Sequence, residues 1–118
     1  MTKFVEMSWS CGSIDEARKV ARYLVQERLV ANAQIVPWIE SIYMLNNQLE
    51  TAQESKVYFK TRHSLIDKVT QVIIENSSYQ VPEILFSSIE GGNDDFLHWL
   101  EASIQDYSNV SPTSKNTN

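Results

Sequence analysis

The chain alternates, then takes helical spacing, then alternates again, and does this twice around a long hairpin. That order predicts an α+β fold, a ferredoxin-like βαββαβ sandwich with a long hairpin between its second and third strands and an added C-terminal helix. Three stretches carry the prediction. Ile14 to Arg28 reads as an amphipathic helix, Ile35 to Thr61 as one hairpin, and Ser64 to Ile89 as a second helix–strand unit.

Taken in order, Lys3 to Ser10 alternates, with Val5, Met7 and Trp9 on one face, and reads as strand 1. Cys11-Gly12 is expected to break it. Ser13-Ile14-Asp15-Glu16 has the form of a capping box, Ser at the N-cap and Glu three residues on. Ala17, Val20, Ala21, Leu24 and Val25 then follow at helical spacing. Leu29 to Ile35 holds no turn signal and feeds strand 2. Pro37 cannot donate to a ladder, so an edge position or a bulge is expected there, with Trp38 next to it as a large anchor.

Asn46-Asn47 supplies the hairpin turn, because Asn tolerates positive φ. Ile39, Ser41, Tyr43 and Leu45 face one way on the outgoing arm, and Glu40, Ile42 and Met44 the other. On the return arm Val57 and Phe59 share a face opposite Lys56, Tyr58 and Lys60. Each arm is roughly 30–35 Å long at about 3.3 Å per residue, close to the diameter of a body this size. The tip should therefore overhang its own subunit and need another surface to cover it.

Ser64-Leu65-Ile66-Asp67 reads as a second N-cap, with Ile66, Val69, Val72 and Ile73 as the stripe of a helix reaching about Asn76. Ser77 to Gln80 is loop, and Val81 to Ile89 is strand 4. Gly91-Gly92 turns, Asn93 caps, and Phe96, Leu97, Trp99, Leu100 and Ile104 mark the last helix. Residues 1–107 form one domain in this reading. Residues 108–118, rich in Ser, Asn and Thr, are expected to be a disordered tail. In the βαββαβ topology strands 1 and 3 are central and strands 2 and 4 are edges. With helices on one sheet face and a hairpin overhanging, a closed cyclic oligomer fits better than a monomer.

Composition narrows the function. The 118 residues carry a net charge of −5 and 42% hydrophobic residues, with three Gly, three Pro and one Cys. No Lys/Arg block stands out, which argues against general nucleic-acid binding. No apolar run approaches the length of a membrane span, and the N-terminus lacks the apolar centre of a signal peptide. The lone Cys11 has no internal disulfide partner. These features together predict a cytoplasmic protein, with no nucleic-acid and no membrane partner. No G-x-S-x-G, P-loop, H-E-x-x-H or C-x-x-C occurs, and the reading is of a protein that is not an enzyme.

Several side chains remain candidates. Cys11, at the entry to the first helix, would be favoured as a thiolate there, a soft ligand suited to Cu(I); the alternative is a small residue at a turn. Lys60, Arg62 and His63 cluster where the second helix begins and would suit an anion, against the alternative of a solvated helix entry. Asp94 and His98 stand four apart and could share a metal or form a surface ion pair. Trp9, Trp38 and Trp99 read as core or interface packing.

The ordered set Ala31-Asn32-Ala33-Gln34-Ile35-Val36-Pro37, Ser41-Ile42-Tyr43, Leu49-Glu50, Lys60-Thr61, Tyr79-Gln80-Val81-Pro82-Glu83-Ile84 and Gly92-Asn93-Asp94-Asp95-Phe96-Leu97-His98-Trp99-Leu100 resembles the divalent-cation tolerance (CutA) family. The resemblance runs from about Lys3 to Ile104. It implies a homotrimer with strands paired across subunits and a link to copper and other divalent-metal tolerance. It also implies an inter-subunit pocket that Lys60, Tyr79 and Glu83 would line, and Glu54 as the retained acidic residue of strand 3. Cys11 and Glu54 are then the metal-ligand candidates, with copper or another divalent ion as the cofactor. The chain departs from the family at instructive points. Asn32 stands at a position where the family often has Cys, Cys11 falls one residue after another such position near Ser10, and Ser77-Ser78-Tyr79 replaces His-Pro-Tyr. Met44-Leu45-Asn46-Asn47 replaces a Trp-rich Glu-Gly turn. The function expected from the resemblance is metal-ion response with weak or absent copper binding. The alternatives are a PII-like trimeric signalling or scaffold module binding a small anionic ligand or a partner protein at subunit clefts, and a scaffold without a ligand.

Overall fold

The computed structural model describes residues 3–105. The elements are β1 (Phe4–Cys11), α1 (Ile14–Gln26), β2 (Asn32–Leu45), β3 (Gln48–Arg62), α2 (Ile66–Asn76), β4 (Glu83–Ser88) and α3 (Asp94–Ser103), with one 3-10 turn, His63–Leu65, leading into α2. The sheet is antiparallel in the order β2-β3-β1-β4. This is the ferredoxin-like arrangement, with β1 and β3 central. The tail expected at 108–118 lies outside the described residues.

Alternation decides which side of each strand is covered. Val5, Met7, Trp9, Val57 and Phe59 are fully buried, packed against the α1 stripe of Ala17, Val20, Ala21 and Leu24 and the α2 stripe of Ile66, Val69, Val72 and Ile73. Each such large side chain contributes about 1.5–3 kcal/mol on leaving water. The opposite face carries Glu6, Ser8, Tyr58 and Lys60. It is not wholly bare. Phe4 and Arg62, paired across β1 and β3 on that side, are both buried, and the Arg62 guanidinium donates to the carbonyls of Glu101, Ile104 and Gln105 at the end of α3. So α1 and α2 cover one face, and α3 closes the bottom end of the other.

Four local expectations are corrected. Cys11 does not break β1 but is its last residue, paired with Ser55. Helix α1 stops at Gln26, not Arg28, because the chain turns there. Arg28 has φ 58°, Arg28 N–H donates to Val25 O and Leu29 N–H to Leu24 O. That is a Schellman motif with Arg where Gly is usual, and Leu29 packs in the core with Leu24. Its sequence signal was hidden by the missing Gly. Ser64 caps nothing. The 3-10 turn contains it, and α2 starts at Ile66 with no side-chain cap. Strand β4 begins at Glu83, two residues late, since Pro82 offers no N–H to a ladder.

The hairpin forms as expected. Asn46 and Asn47, at φ 53° and 64°, make a two-residue turn closed by Leu45 opposite Gln48. The register slips between Val36 and Ile39, placing a bulge at Pro37-Trp38. Beyond it β2 has β3 as its one neighbour in the sheet. The overhang shows in the dimensions, 50 × 39 × 25 Å with a radius of gyration of 15.9 Å, against about 13 Å for a compact chain of this length. Trp38, Ile42, Met44 and Leu49 are 62–75% exposed. Trp38 therefore anchors nothing among the described residues.

Candidate functional site

A cleft of about 610 Å³ lies between the end of β1, the hairpin and the loop before β4. Register puts Ser10 opposite both Lys56 and Glu83, and Ile39 opposite Glu54. Tyr79 enters from the loop. Glu16 holds that loop, accepting from the Ser78 backbone N–H and hydroxyl, both at 2.8 Å. The Ser13 hydroxyl accepts from Glu16 N–H as in a capping box, but the Glu16 carboxylate turns to Ser78 instead of back to the cap. Gly12 lies against this loop, where a Cβ would come into ordinary contact, 3.4 Å, with Ser78 Oγ and Tyr79 Cε1.

Two carboxylates organise the cleft. Glu54 accepts from the Tyr79 hydroxyl at 2.7 Å and from the Ser41 hydroxyl. Glu83 accepts from Ser10 Oγ at 3.1 Å and pairs with Lys56 Nζ at 3.4 Å. Partial burial pushes the Tyr79 hydroxyl up to about 12, and the hydrogen bond to Glu54 adds to it. Tyr79 therefore stays a neutral donor at ordinary pH.

Of the residues singled out in the sequence, Glu54, Tyr79 and Glu83 meet in this cleft. Lys60 does not. It points from the same strand face but bonds Gln34 Oε1 at 3.0 Å and Glu6 at 3.6 Å, about six residues of strand away from Glu54. Cys11 is fully buried, its thiol donating to the Ser13 and Ser55 carbonyls at 3.7 and 3.5 Å. Burial, then the charge of Glu16, pushes that thiol up to about 12. The thiolate expected from a helix entry is thus disfavoured, because desolvation outweighs the helix end. A thiol held neutral by burial brings no soft thiolate ligand to Glu54 within one chain. Among the described residues no group of three or more His, Cys, Asp or Glu side chains is placed to hold an ion.

The anion cluster at the second helix also does not assemble. Arg62 is 6% exposed and committed to α3, and His63 lies edge-on to Phe86 at 6.4 Å. No ion pair joins Asp94 and His98 among the described residues. Trp9 is core, while Trp99 is half-exposed and stacks on Phe96 at 5.3 Å. Ser10 and Ser41 were missed as site residues. Alternation placed each on a strand, but only the register across three strands brings them to the same acids.

Comparison with known proteins agrees with this fold. The family model for CutA1 divalent ion tolerance protein matches residues 5–103. Protein CutA, chloroplastic, of Arabidopsis thaliana is 38% identical over 75% of this chain and 49% of its own length. The divalent-cation tolerance protein CutA of Thermus thermophilus is 36% identical over 75% of this chain and 85% of its own. The chain thus spans about half the length of the plant relatives it matches and most of the bacterial one. The crystal structure of CutA1 from Oryza sativa superposes with a TM-score of 0.84 at 31% identity, covering 89% of this chain and 96% of that one. No helix among the described residues is long and apolar enough to cross a membrane. With its family model matched over nearly the whole described chain, the protein belongs to the CutA1 divalent ion tolerance family.

Proposed function

We propose that this chain acts as a cytoplasmic homotrimer in the response to divalent metal ions, without enzymatic activity, binding copper weakly and holding no metal centre within a single subunit. The overhanging hairpin carries the reading. It leaves Trp38, Ile42, Met44 and Leu49 without cover. It also leaves the outer backbone row of β2 unpaired, a ready template for another strand. The two sheet edges, β2 and β4, lie at opposite margins. Pairing β2 of one copy with β4 of the next is heterologous, and such contacts make a ring where the rotation between copies closes. Three is the number the family resemblance implies.

In that assembly the cleft of Glu54, Tyr79 and Glu83 lies beside the hairpin, where a neighbouring subunit would add its own wall, and it is the ligand site of the protein. Light scattering tests the assembly. The expected mass is three times the 13.6 kDa of the chain, and a monomer at micromolar concentration would refute it. A calorimetric copper titration of the wild type and Cys11→Ala tests the metal reading. Weak binding, equal in both, is expected. Tight binding at one ion per chain that vanishes in Cys11→Ala would overturn it.

A further inference from the structure

The hydroxyls of the cleft already have their protons directed at acids. Tyr79 and Ser41 donate to Glu54, and Ser10 donates to Glu83. What these groups leave facing the cavity is lone pairs, on two carboxylates and three hydroxyl oxygens. Lys56 offsets one of the two acids. The cavity therefore presents acceptors and an excess of negative charge. It is not wholly polar. Tyr43 and Val81 also line it and are 45% and 86% exposed.

From this we propose that the cleft binds an organic ammonium cation, a primary amine carried on a short apolar or aromatic body. The inference deepens the cleft reading above and rests on it. An ammonium brings three donors and no acceptor, the complement of this wall. The body would lie against Val81, with the Tyr43 ring available to the charged head. A volume of about 610 Å³ falls within the range of small-molecule sites. An anion meets two carboxylates, with the Lys56 ammonium already directed at one of them. A hard divalent ion wants six or more oxygens closely arranged, whereas Glu54 and Glu83 are each bound by different partners.

The test is amide NMR of the full chain titrated with 1,4-diaminobutane, n-butylamine and n-butyrate, with magnesium chloride as a further arm. Both amines should saturate and shift the amides of Ser10, Ser41, Glu54 and Tyr79, while butyrate and magnesium leave them in place. Glu54→Gln should weaken the amines about tenfold, the loss of one charge-assisted contact. Glu83→Gln repeats the test should Glu54→Gln fail to fold. Lys56→Ala should tighten amine binding about threefold by releasing Glu83 from its ion pair, a gain that a merely structural role for Lys56 would not give. Butyrate or magnesium binding in place of the amines, amines that do not saturate, or a Lys56→Ala variant that binds amines more weakly would each overturn the proposal. Light scattering on the same samples separates the two readings. A trimer indifferent to amines sinks the ligand class alone, and an amine-binding monomer sinks the assembly alone.

Discussion

Replacing Arg62 with Met should unlatch the last helix while leaving the sheet intact. Arg62 is 6% exposed, and its guanidinium donates to the carbonyls of Glu101, Gln105 and Ile104 at 2.9, 3.1 and 3.3 Å. It also lies over the Phe4 ring at 5.7 Å. A hydrogen bond to a charged group contributes about 1.5–3 kcal/mol net. Three from one side chain are not additive, and water reaches carbonyls at a helix end. Met fills the apolar part of the space, so the expected cost is about 3 kcal/mol. The loss is local, because α3 is fastened to the rest chiefly through its C-terminal end. Arg28 Nη2 bonding Ala102 O, Gln105 N–H bonding Arg28 O, Gln105 Nε2 bonding Glu27 O and the exposed Lys3–Glu101 ion pair are further ties there among the described residues. Native-state hydrogen exchange is the assay. Protection of the Leu100 and Ile104 amides should fall by about 100-fold, that free energy converted to a rate. Val57 and Phe59 should keep theirs. Arg62→Lys should fall between, since an ammonium cannot span three carbonyls with the geometry of the guanidinium. A change under about threefold at Leu100 and Ile104, or equal loss across α3 and β3, would refute the latch.

Three further outcomes follow from the same structure. The Cys11 thiol ionises at 9.0 when free and at about 12 in the fold. Its folded value is raised, so its contribution is complete below pH 9 and is lost as pH climbs toward 12. About 1.4 kcal/mol per chain should be gone by pH 10. Urea midpoints at pH 8 and 10 should show this decline, smaller in Cys11→Ala; an equal decline in both would assign it elsewhere. Asn46→Val puts a β-branched residue at φ 53°, which should cost about 1–3 kcal/mol and lower the thermal midpoint, whereas Asn46→Gly should leave it unchanged or raised. In Glu54→Gln the Tyr79 hydroxyl loses its acceptor carboxylate, so its ionisation should move from about 12 part of the way back toward 10.0; ultraviolet titration against Tyr79→Phe checks it, and an unmoved value would show burial alone responsible.

The chain itself determined the two-unit plan, the hairpin and its turn. Ser13 and the spacing from Ala17 to Leu24 specify α1 locally, and Asn46-Asn47 specify a turn with no help from elsewhere. Pro37 announced a bulge because a residue without an N–H cannot hold a ladder position. Where a helix ended without Gly, at Arg28, the local signal was silent. The tertiary contacts of Leu29 and of the Arg28 carbonyl decided that turn. The site divides the same way. Glu54, Tyr79 and Glu83 were legible as residue types in strands and a loop. That Lys60 would be held by Glu6 and Gln34, that Arg62 would serve α3, and that Ser10 and Ser41 would complete the cleft depended on register between strands far apart in sequence. Burial decided the chemistry of Cys11. A thiol beside a helix start is activated when water or a cation supports its charge. Here burial, and after it the nearby Glu16 carboxylate, favours the neutral form and outweighs the backbone hydrogen bond at Ser13 that favours the thiolate.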